Sequence, residues 1–314
     1  MSVDVATSRW RSVAWKRVAQ YYGIAFGGAV VVGLGLVGLS RVLPASLGGL
    51  ATVAIALVYM PLPLVAGLIV ERLHRRRYLI AELRHGFWRT YGRSVLYGTA
   101  AMLVILALAF LVAWLAGAIG VPGAGHLVTS DSEYRQRLME LSPMISPSTP
   151  LSLQLLAMVI AFLVAGPTVN ALAAFGEEYG WRGVLAEELR PLGVVGSNLV
   201  TGVLWGLWHA PIVILMGYNY GDQWVLGVPM MIAWTTPFSF LLSWVRGRAR
   251  SIMAPAVLHG SFNAGIGAFT LITLGGNVFI ALPLGWLLVL VLTVLAIIAW
   301  RFPPVPAAAQ ASAH

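Results

Sequence analysis

The stretch Phe175-Gly-Glu-Glu-Tyr-Gly-Trp-Arg182 places two adjacent carboxylates and an arginine inside an otherwise apolar run. Residues 151–174, which precede it, are almost wholly apolar. Ionisable side chains at bilayer depth cost about 2.5–3.5 kcal/mol each on insertion scales, so they are rare and by default functional candidates. The roles of Glu177, Glu178 and Arg182 are therefore the first question that the sequence raises.

The composition of the whole chain is that of a membrane protein. Of its 314 residues, 59% are hydrophobic and 10% are charged, and the mean hydropathy is +0.84. Several apolar runs reach the length of about 20 residues that a helix needs to cross the hydrocarbon core. A β-barrel would alternate apolar and polar positions, whereas these runs are continuous. The sequence predicts an all-α polytopic membrane protein.

The apolar runs and the charges between them predict the topology. Eight transmembrane helices are predicted, at about 21–42, 48–70, 94–120, 151–188, 195–217, 224–245, 252–274 and 277–300. With the N-terminus inside, the inner segments contain sixteen Lys and Arg residues, and the outer segments contain only Arg41, Arg135 and Arg137. Because cytoplasmic segments carry the excess of basic residues, both termini are predicted to be cytosolic.

The remaining segments complete the predicted organisation. Residues 1–20 form a basic cytosolic segment, 21–300 a single transmembrane domain, and 301–314 a disordered tail. The outer loop 121–150 includes a short polar run that suits a surface helix. The net charge of +9 comes mostly from arginines between the apolar runs. This pattern suits anionic lipid headgroups and predicts no nucleic-acid partner. Disulfides and thiol chemistry are excluded because the chain has no cysteine.

Three further polar side chains, His209, His259 and Asn263, lie within predicted spans. At a rise of about 1.5 Å per residue, Glu177 lies about 18 Å from the inner end of its helix. His209, His259 and Asn263 lie about 21, 12 and 18 Å from the inner ends of theirs. Three helices therefore bring polar groups to a similar depth, at or just inside the middle of the membrane. Independent structural pairs need not share a depth in this way.

The spacing within each helix separates these groups by face. Glu178 and Arg182 are four residues apart, which predicts a structural ion pair on one helix face. Glu177 is turned by about 100° from Glu178, so it can face a cavity while Glu178 pairs with the arginine. His259 and Asn263 also share a face, because they are four residues apart.

Simpler roles exist for several of these residues. An intramembrane histidine such as His209 or His259 can be a packed, hydrogen-bonded side chain that joins two helices. Trp205 and Trp208 flank His209 and are candidates for lining a substrate cavity. Tryptophans in membrane proteins are, however, more often packing or interface residues than binding groups.

Together the polar residues can support hydrolysis. A carboxylate and an imidazole near one water molecule can share the duty of general base. A second imidazole and an amide can donate to the oxyanion of a tetrahedral intermediate. Two histidines and a carboxylate (Glu177, His209 and His259) can alternatively bind Zn²⁺ with an open position for water. The H-E-x-x-H motif of soluble zinc proteases is absent, so the zinc alternative rests on residue types alone.

The order of the motifs resembles a known family. Glu177-Glu178-x-x-x-Arg182, an aromatic three residues before an intramembrane His209, and His259-x-x-x-Asn263 resemble the three motifs of the CAAX-protease and bacteriocin-processing (CPBP) family. The resemblance covers about residues 151–270. The family includes type II CAAX prenyl proteases and Abi-type bacterial proteins, and its members are eight-helix intramembrane endopeptidases.

The resemblance implies a role for each matched residue. Glu177 would be the catalytic carboxylate and His209 its partner in activating water, while His259 and Asn263 would stabilise the oxyanion. Glu178 and Arg182 would hold their helix in place. The site would open toward the cytosol, and a requirement for zinc stays open. Trp205 departs from the family pattern, in which phenylalanine is usual, and this puts the fit of the substrate in doubt rather than the chemistry.

The sequence thus predicts a glutamate-dependent endopeptidase that acts on a peptide or membrane-protein substrate within a lipid bilayer. The preference for Arg over Lys and the abundance of Ala and Gly suggest a bacterial inner membrane. Two alternatives remain: a non-catalytic immunity or scaffold protein that binds a peptide or protein partner, and a proton-coupled transporter that titrates the glutamates. The transporter alternative is weakened by the lack of internal repeats.

Overall fold

The computed structural model describes residues 8–42, 55–84, 87–141 and 150–302, and most of these residues are helical. The helices are α1 (Trp15–Val42), α2 (Leu62–Leu73), α3 (Tyr78–Arg84), α4 (Phe87–Ala118), α5 (Asp131–Leu141), α6 (Leu151–Glu188), α7 (Gly193–Trp208), α8 (Ala210–Met216), α9 (Trp224–Ala249), α10 (Met253–Ile272) and α11 (Trp286–Arg301). A two-residue strand β1 (His126–Leu127) pairs antiparallel with β2 (Thr273–Leu274).

Five helical segments are long and apolar enough to cross a membrane: α1, residues 89–118 of α4, α6, the segment Arg190–Met216 that contains α7 and α8, and α9. They confirm the predicted class, a largely helical protein with several membrane-spanning segments. The helix α10 has 20 residues, and polar side chains such as His259 and Asn263 reduce its apolarity. The helix α11 has 16 residues, about 24 Å of helix.

Two predicted spans differ from the observed helices. The predicted span 277–300 is wrong at its start, because α11 begins at Trp286 and the preceding residues form turns. Glycine and proline are frequent there, and Gly275 has a φ of +69° that favours glycine. In the predicted span 48–70, the described chain begins with a π-helical segment, Ile55–Tyr59, before α2.

Other predicted segments are described in part. The surface helix expected within 121–150 is present as α5. Of the predicted disordered tail, Arg301 ends α11, and residues 303–314 lie outside the described residues. Residues 1–7 of the basic N-terminal segment and 48–54 of the second predicted span also lie outside them.

The helix ends that carry the basic segments meet at one end of the bundle, which we call the basic end. There Arg17 forms an ion pair with Glu188, with an N–O distance of 2.7 Å, and the Tyr78 hydroxyl donates to the same carboxylate. The backbone N–H of Ile252 donates to Glu82 at 2.6 Å. These contacts join four segments that the charge pattern assigns to the same side of the membrane.

The opposite end of the bundle contains α5 and the β1–β2 pair, and we call it the hairpin end. Arg137 of α5 donates from Nε to the backbone oxygen of Thr270 at 2.8 Å, and Asp131 accepts the backbone N–H of Leu151. A Ser130-x-x-Glu133 capping box begins α5, with the Glu133 N–H donating to the Ser130 hydroxyl. Hydrogen bonds from the backbone N–H and hydroxyl of Thr129 lower the pKa of the Glu133 carboxyl.

The helix α6 departs from regular α-helix at two places. It contains π-helical segments at Gly166–Asn170, which includes Pro167, and at Tyr179–Leu185. The span predicted at 151–188 is therefore one continuous helix with wide turns near Pro167 and after Glu178. Pro167 lacks the backbone N–H of an ordinary helical turn, which disfavours regular α-helix at this position.

Close contact with α10 fixes the position of α6. A Cβ atom added to Gly260 would overlap the backbone of Asn170 and Ala171. Small residues let membrane helices approach closely enough to gain van der Waals contact. The contact matters for the candidate site because α6 and α10 each carry part of it.

We expect Gly260→Ala to destabilise the protein by about 1–3 kcal/mol, because the α6 backbone must shift to make room for the methyl group. Gly267→Ala, on the same helix, is the control, because a Cβ there meets no atom of the described residues within 4 Å. Thermal unfolding in detergent should show a lower midpoint for Gly260→Ala only. Equal midpoints for the two variants would contradict the close helix contact.

Candidate functional site

The polar residues predicted to share one depth line one cavity of about 400 Å³, which we call the central cavity. Glu177 enters it from α6, His209 from the junction of α7 and α8, and His259 and Asn263 from α10. The structure therefore brings together the four residues that the sequence placed in one layer. A cavity of this size, with few convergent polar groups, is typical of a small substrate-binding site.

Glu177 is held by one strong hydrogen bond. Its side chain is 2% exposed, and its Oε2 accepts the indole N–H of Trp205 at 2.7 Å. A hydrogen bond to a charged group of this length is about twice as strong as a neutral one. The bond fixes one carboxylate oxygen, while Glu177 still lines the central cavity.

His209 lies at a break in its span. It is the single residue between α7 and α8, and Pro211 at the start of α8 lacks the N–H that a continuous helix would use. The Nδ1 of His209 lies 2.8 Å from the backbone oxygen of Trp205, which can only accept a hydrogen bond. Nδ1 therefore carries the proton, and in the neutral ring Nε2 has a free lone pair.

Glu178 is the centre of a buried polar cluster between the central cavity and the basic end. Its Oε1 lies 3.2 Å from Nη1 of Arg182, which forms the predicted ion pair, and 2.7 Å from Nδ1 of His259. Arg182 also donates to the hydroxyl of Ser239, and its guanidinium lies 4.3 Å from the ring centroid of Trp205. Glu178 and Arg182 are 0% and 1% exposed.

His259 therefore connects the two parts of the site. One ring nitrogen contacts the Glu178 carboxylate, while the residue also lines the central cavity. The sequence assigned Glu178 only to Arg182, and the structure adds this second partner. A carboxylate at Nδ1 orients the ring, as a buried aspartate does for a catalytic histidine.

The two tryptophans named as cavity candidates differ in position. Trp208 lines the central cavity, and its indole N–H donates to the backbone oxygen of Ala25 at 3.1 Å. Trp205 is 0% exposed and is not among the lining residues. Its indole N–H is bonded to Glu177, and its ring contacts the Arg182 guanidinium and the His259 ring.

Several polar lining residues were not predicted from the sequence, among them Asn170 and Tyr59. Asn170 lies two helical turns before Glu177, and its side-chain amide donates to the backbone oxygen of Gly260 at 3.3 Å. Its spacing of seven residues from Glu177 was a usable signal. Tyr59 lines the same cavity and donates to the backbone oxygen of Trp208 at 2.6 Å. A tyrosine in an apolar run carries no such signal.

The zinc alternative depends on how Glu177, His209 and His259 are arranged. Both histidines use Nδ1 for a carbonyl or carboxylate oxygen, as zinc-binding histidines commonly do. Yet within the described residues no three His, Cys, Asp or Glu side chains are placed together so that they could hold a metal ion. Glu177, His209 and His259 do not fit a zinc ligand set in this arrangement, and no chemical step is derived through a metal.

As far as the described residues show, the central cavity extends toward one end of the bundle. From Glu177 and His259 its lining continues to Asn219 and Thr270, which lie near the hairpin end. The charge pattern places the hairpin end on the extracytoplasmic side of the membrane. The predicted cytosolic opening of the site and the predicted cytosolic termini therefore do not fit together in this structure.

Comparison with known protein families supports the resemblance seen in the motifs. Residues 152–265 match the family model described as type II CAAX prenyl endopeptidase Rce1-like. The matched segment contains Glu177, Arg182, His209 and the His259–Asn263 pair, and it agrees with the predicted family and its extent. No curated protein matches the chain.

Proposed function

We propose, from the match of residues 152–265 to the type II CAAX prenyl endopeptidases, that this chain is an intramembrane endopeptidase with Glu177 as its catalytic carboxylate. The observation that carries the proposal is the joint lining of one buried cavity by Glu177, His209, His259 and Asn263. A packed structural histidine or a lone ion pair would not require this convergence.

The proposed reaction begins with water held between Glu177 and His209. The carboxylate takes a proton from the water while the water oxygen attacks the carbonyl carbon of the scissile bond. The attack gives a tetrahedral oxyanion. His209 orients the water through the lone pair of Nε2, since Nδ1–H is bonded to Trp205. The C–N bond then breaks as the proton passes to the leaving amine, leaving a carboxylic acid and an amine.

The oxyanion is proposed to be stabilised by His259 and Asn263. The side-chain amide of Asn263 has two N–H donors, and its residue is exposed to the cavity. His259 would donate from Nε2 as an imidazolium whose Nδ1–H is bonded to Glu178. Donors that are already oriented before the charge develops are worth about 2.7–4 kcal/mol each in acyl-transfer enzymes.

Glu178 and Arg182 are proposed to position these groups rather than to react. Their ion pair is buried next to the cavity. Glu178 holds His259, and Arg182 contacts the ring of Trp205. We further propose that the chain has eight spans, resides in a bacterial inner membrane and keeps both termini in the cytosol, because the basic residues gather at one end of the bundle.

The direct test compares membranes that contain the wild type with membranes that contain Glu177→Ala. Mapping of peptide termini by mass spectrometry should find new termini that depend on Glu177, and their uncleaved precursors should accumulate with the variant. Co-purification of the same precursors with Glu177→Ala would identify the substrate. Identical termini in both membranes, with equal amounts of folded protein, would contradict the proposed function.

Trp205→Phe should lower the rate of cleavage about tenfold, because it removes one hydrogen bond to the Glu177 carboxylate. Trp181→Phe is a matched control. The buried indole N–H of Trp181 has no hydrogen-bond partner among the described residues, so the substitution removes no bond that the structure shows. The cleavage rate of that control should stay within about twofold of the wild type. Equal rates for both variants would show that the Trp205 bond does not support catalysis.

A further inference from the structure

On each helix that lines the central cavity, the lining residues extend from the level of Glu177 toward the hairpin end. On α6 the lining residue nearest the basic end is Glu177, and the others lie toward the hairpin end. On α10 the lining starts at His259 and continues through Gly267 to Thr270. On the α7–α8 segment it starts at Trp208 and reaches Asn219 beyond the end of α8. None of the lining residues lies near the basic end.

The space between the site and the basic end is filled. Trp181, Trp205 and Phe238 are each 0% exposed, and the buried Glu178–Arg182 pair lies among them. Protein interiors are close-packed, so large side chains that are fully buried together leave no passage for a peptide. Among the described residues, the route from the basic end to Glu177 is therefore closed by side chains.

A second cavity, which we call the vestibule, adjoins the first at the hairpin end. It has a volume of about 390 Å³ and shares Asn219, Thr270, Pro283 and Leu284 with the central cavity. Arg137 and Glu140 of α5 also line it. Arg137 bonds both the Thr270 backbone oxygen and Glu140, so the mouth of the vestibule has fixed polar groups. A polar mouth suits the backbone of a peptide that arrives from water.

The charge pattern assigns this mouth to the outside of the cell. The hairpin end carries Arg41, Arg135 and Arg137, against sixteen basic residues at the basic end and in the segments joined to it. Such an imbalance determines the orientation of helical membrane proteins. The two observations are independent, since one uses the cavity walls and the other uses charges outside the spans.

We infer that the site is entered from the extracytoplasmic face, through the vestibule beneath α5. The substrate class is then a peptide segment exposed at that face, such as a translocated peptide or the outer part of a membrane anchor, rather than a cytosolic C-terminal tail. The identity of the chemistry rests on the proposed function, whereas the direction of entry does not.

The absence of cysteine from the sequence makes the direction of entry measurable. Single-cysteine variants are made at Thr270 in the vestibule, at Gly267 in the central cavity and, as a control, at Ser197. Ser197 lines a separate pocket near the basic end, together with Arg190 and Arg246. Intact cells and permeabilised cells are treated with a small, negatively charged, membrane-impermeant thiosulfonate, and modification is followed by mass.

Thr270→Cys and Gly267→Cys should react in intact cells, while Ser197→Cys should react only after permeabilisation. The reverse pattern would overturn the inference and give a cytosolic entrance. Lack of reaction at Gly267→Cys in both preparations, with full reaction after denaturation, would also overturn it, because the cavity would then be closed to water. These outcomes are read without any cleavage, so they remain separate from a failure of the proposed function.

A second arm connects entry to activity once a substrate is mapped. Modification of Gly267→Cys from outside should lower cleavage at least about tenfold, because the adduct occupies the path between the vestibule and Glu177. Modification of Ser197→Cys in permeabilised cells should leave cleavage unchanged. Unchanged cleavage after complete modification at Gly267→Cys would show that substrate does not use this route.

Discussion

Replacing Glu177 by Gln is expected to lower cleavage by about a thousandfold while leaving the amount of folded protein unchanged. The glutamine keeps an oxygen that accepts the Trp205 indole N–H, so the local packing survives. It cannot accept the proton of the attacking water, and general-base catalysis contributes about 10²–10⁴-fold. The measurement is the rate of product formation per folded molecule in detergent or in vesicles.

The adjacent carboxylate provides the matched control. Glu178→Gln removes the negative charge next to Arg182 and His259, so its main effect should be a loss of folded protein. The two substitutions have identical chemistry at neighbouring positions. Wild-type cleavage by Glu177→Gln would exclude Glu177 as the base, and equal losses of folded protein in both variants would show that the two glutamates do not have separate roles.

Arg182→Ala should give the largest effect on stability, about 3–5 kcal/mol, because it leaves the buried Glu178 carboxylate without its ion-pair partner. The substitution also removes the guanidinium from the Ser239 hydroxyl and from the face of Trp205. Size-exclusion chromatography and thermal unfolding of the purified protein should show a sharp decrease in folded material.

A double substitution separates the lost charge pair from the lost volume. Glu178→Gln together with Arg182→Met replaces the pair by neutral groups of similar size, which removes the uncompensated buried charge. We expect the double variant to recover a large part of the folded yield that Arg182→Ala loses. Normal folding of Arg182→Ala by itself would show that this ion pair does not hold α6 in place.

The local part of the site was predictable from the sequence because helical spacing determines it. The Glu178–Arg182 pair follows from a separation of four residues, and the shared face of His259 and Asn263 follows in the same way. The common depth of Glu177, His209 and the α10 residues follows from counting residues along apolar runs. The four predicted residues, Glu177, His209, His259 and Asn263, all line the central cavity.

The tertiary part was not predictable, since it depends on how helices face each other. The bond between His259 and Glu178 joins residues 81 positions apart, and that between Trp205 and Glu177 joins residues 28 apart. Spacing within one helix carries no information about such pairs. The direction in which the cavity extends also depends on which ends of several helices separate. The spacing of residues within one helix does not determine it.

The two π-helical segments of α6 have a consequence for how its sequence is interpreted. They lie on either side of Glu177, at Gly166–Asn170 and Tyr179–Leu185. A π-turn closes its hydrogen bond over five residues instead of four, so each segment inserts extra chain into the helix. A helical wheel drawn at a constant 100° over 151–188 therefore loses its phase twice. Glu177 belongs to a short regular segment, Ala171–Glu178, whose side-chain directions are set independently of the rest of the helix. A relative without one of the wide turns would need one residue fewer in α6 to keep its glutamate in the same direction.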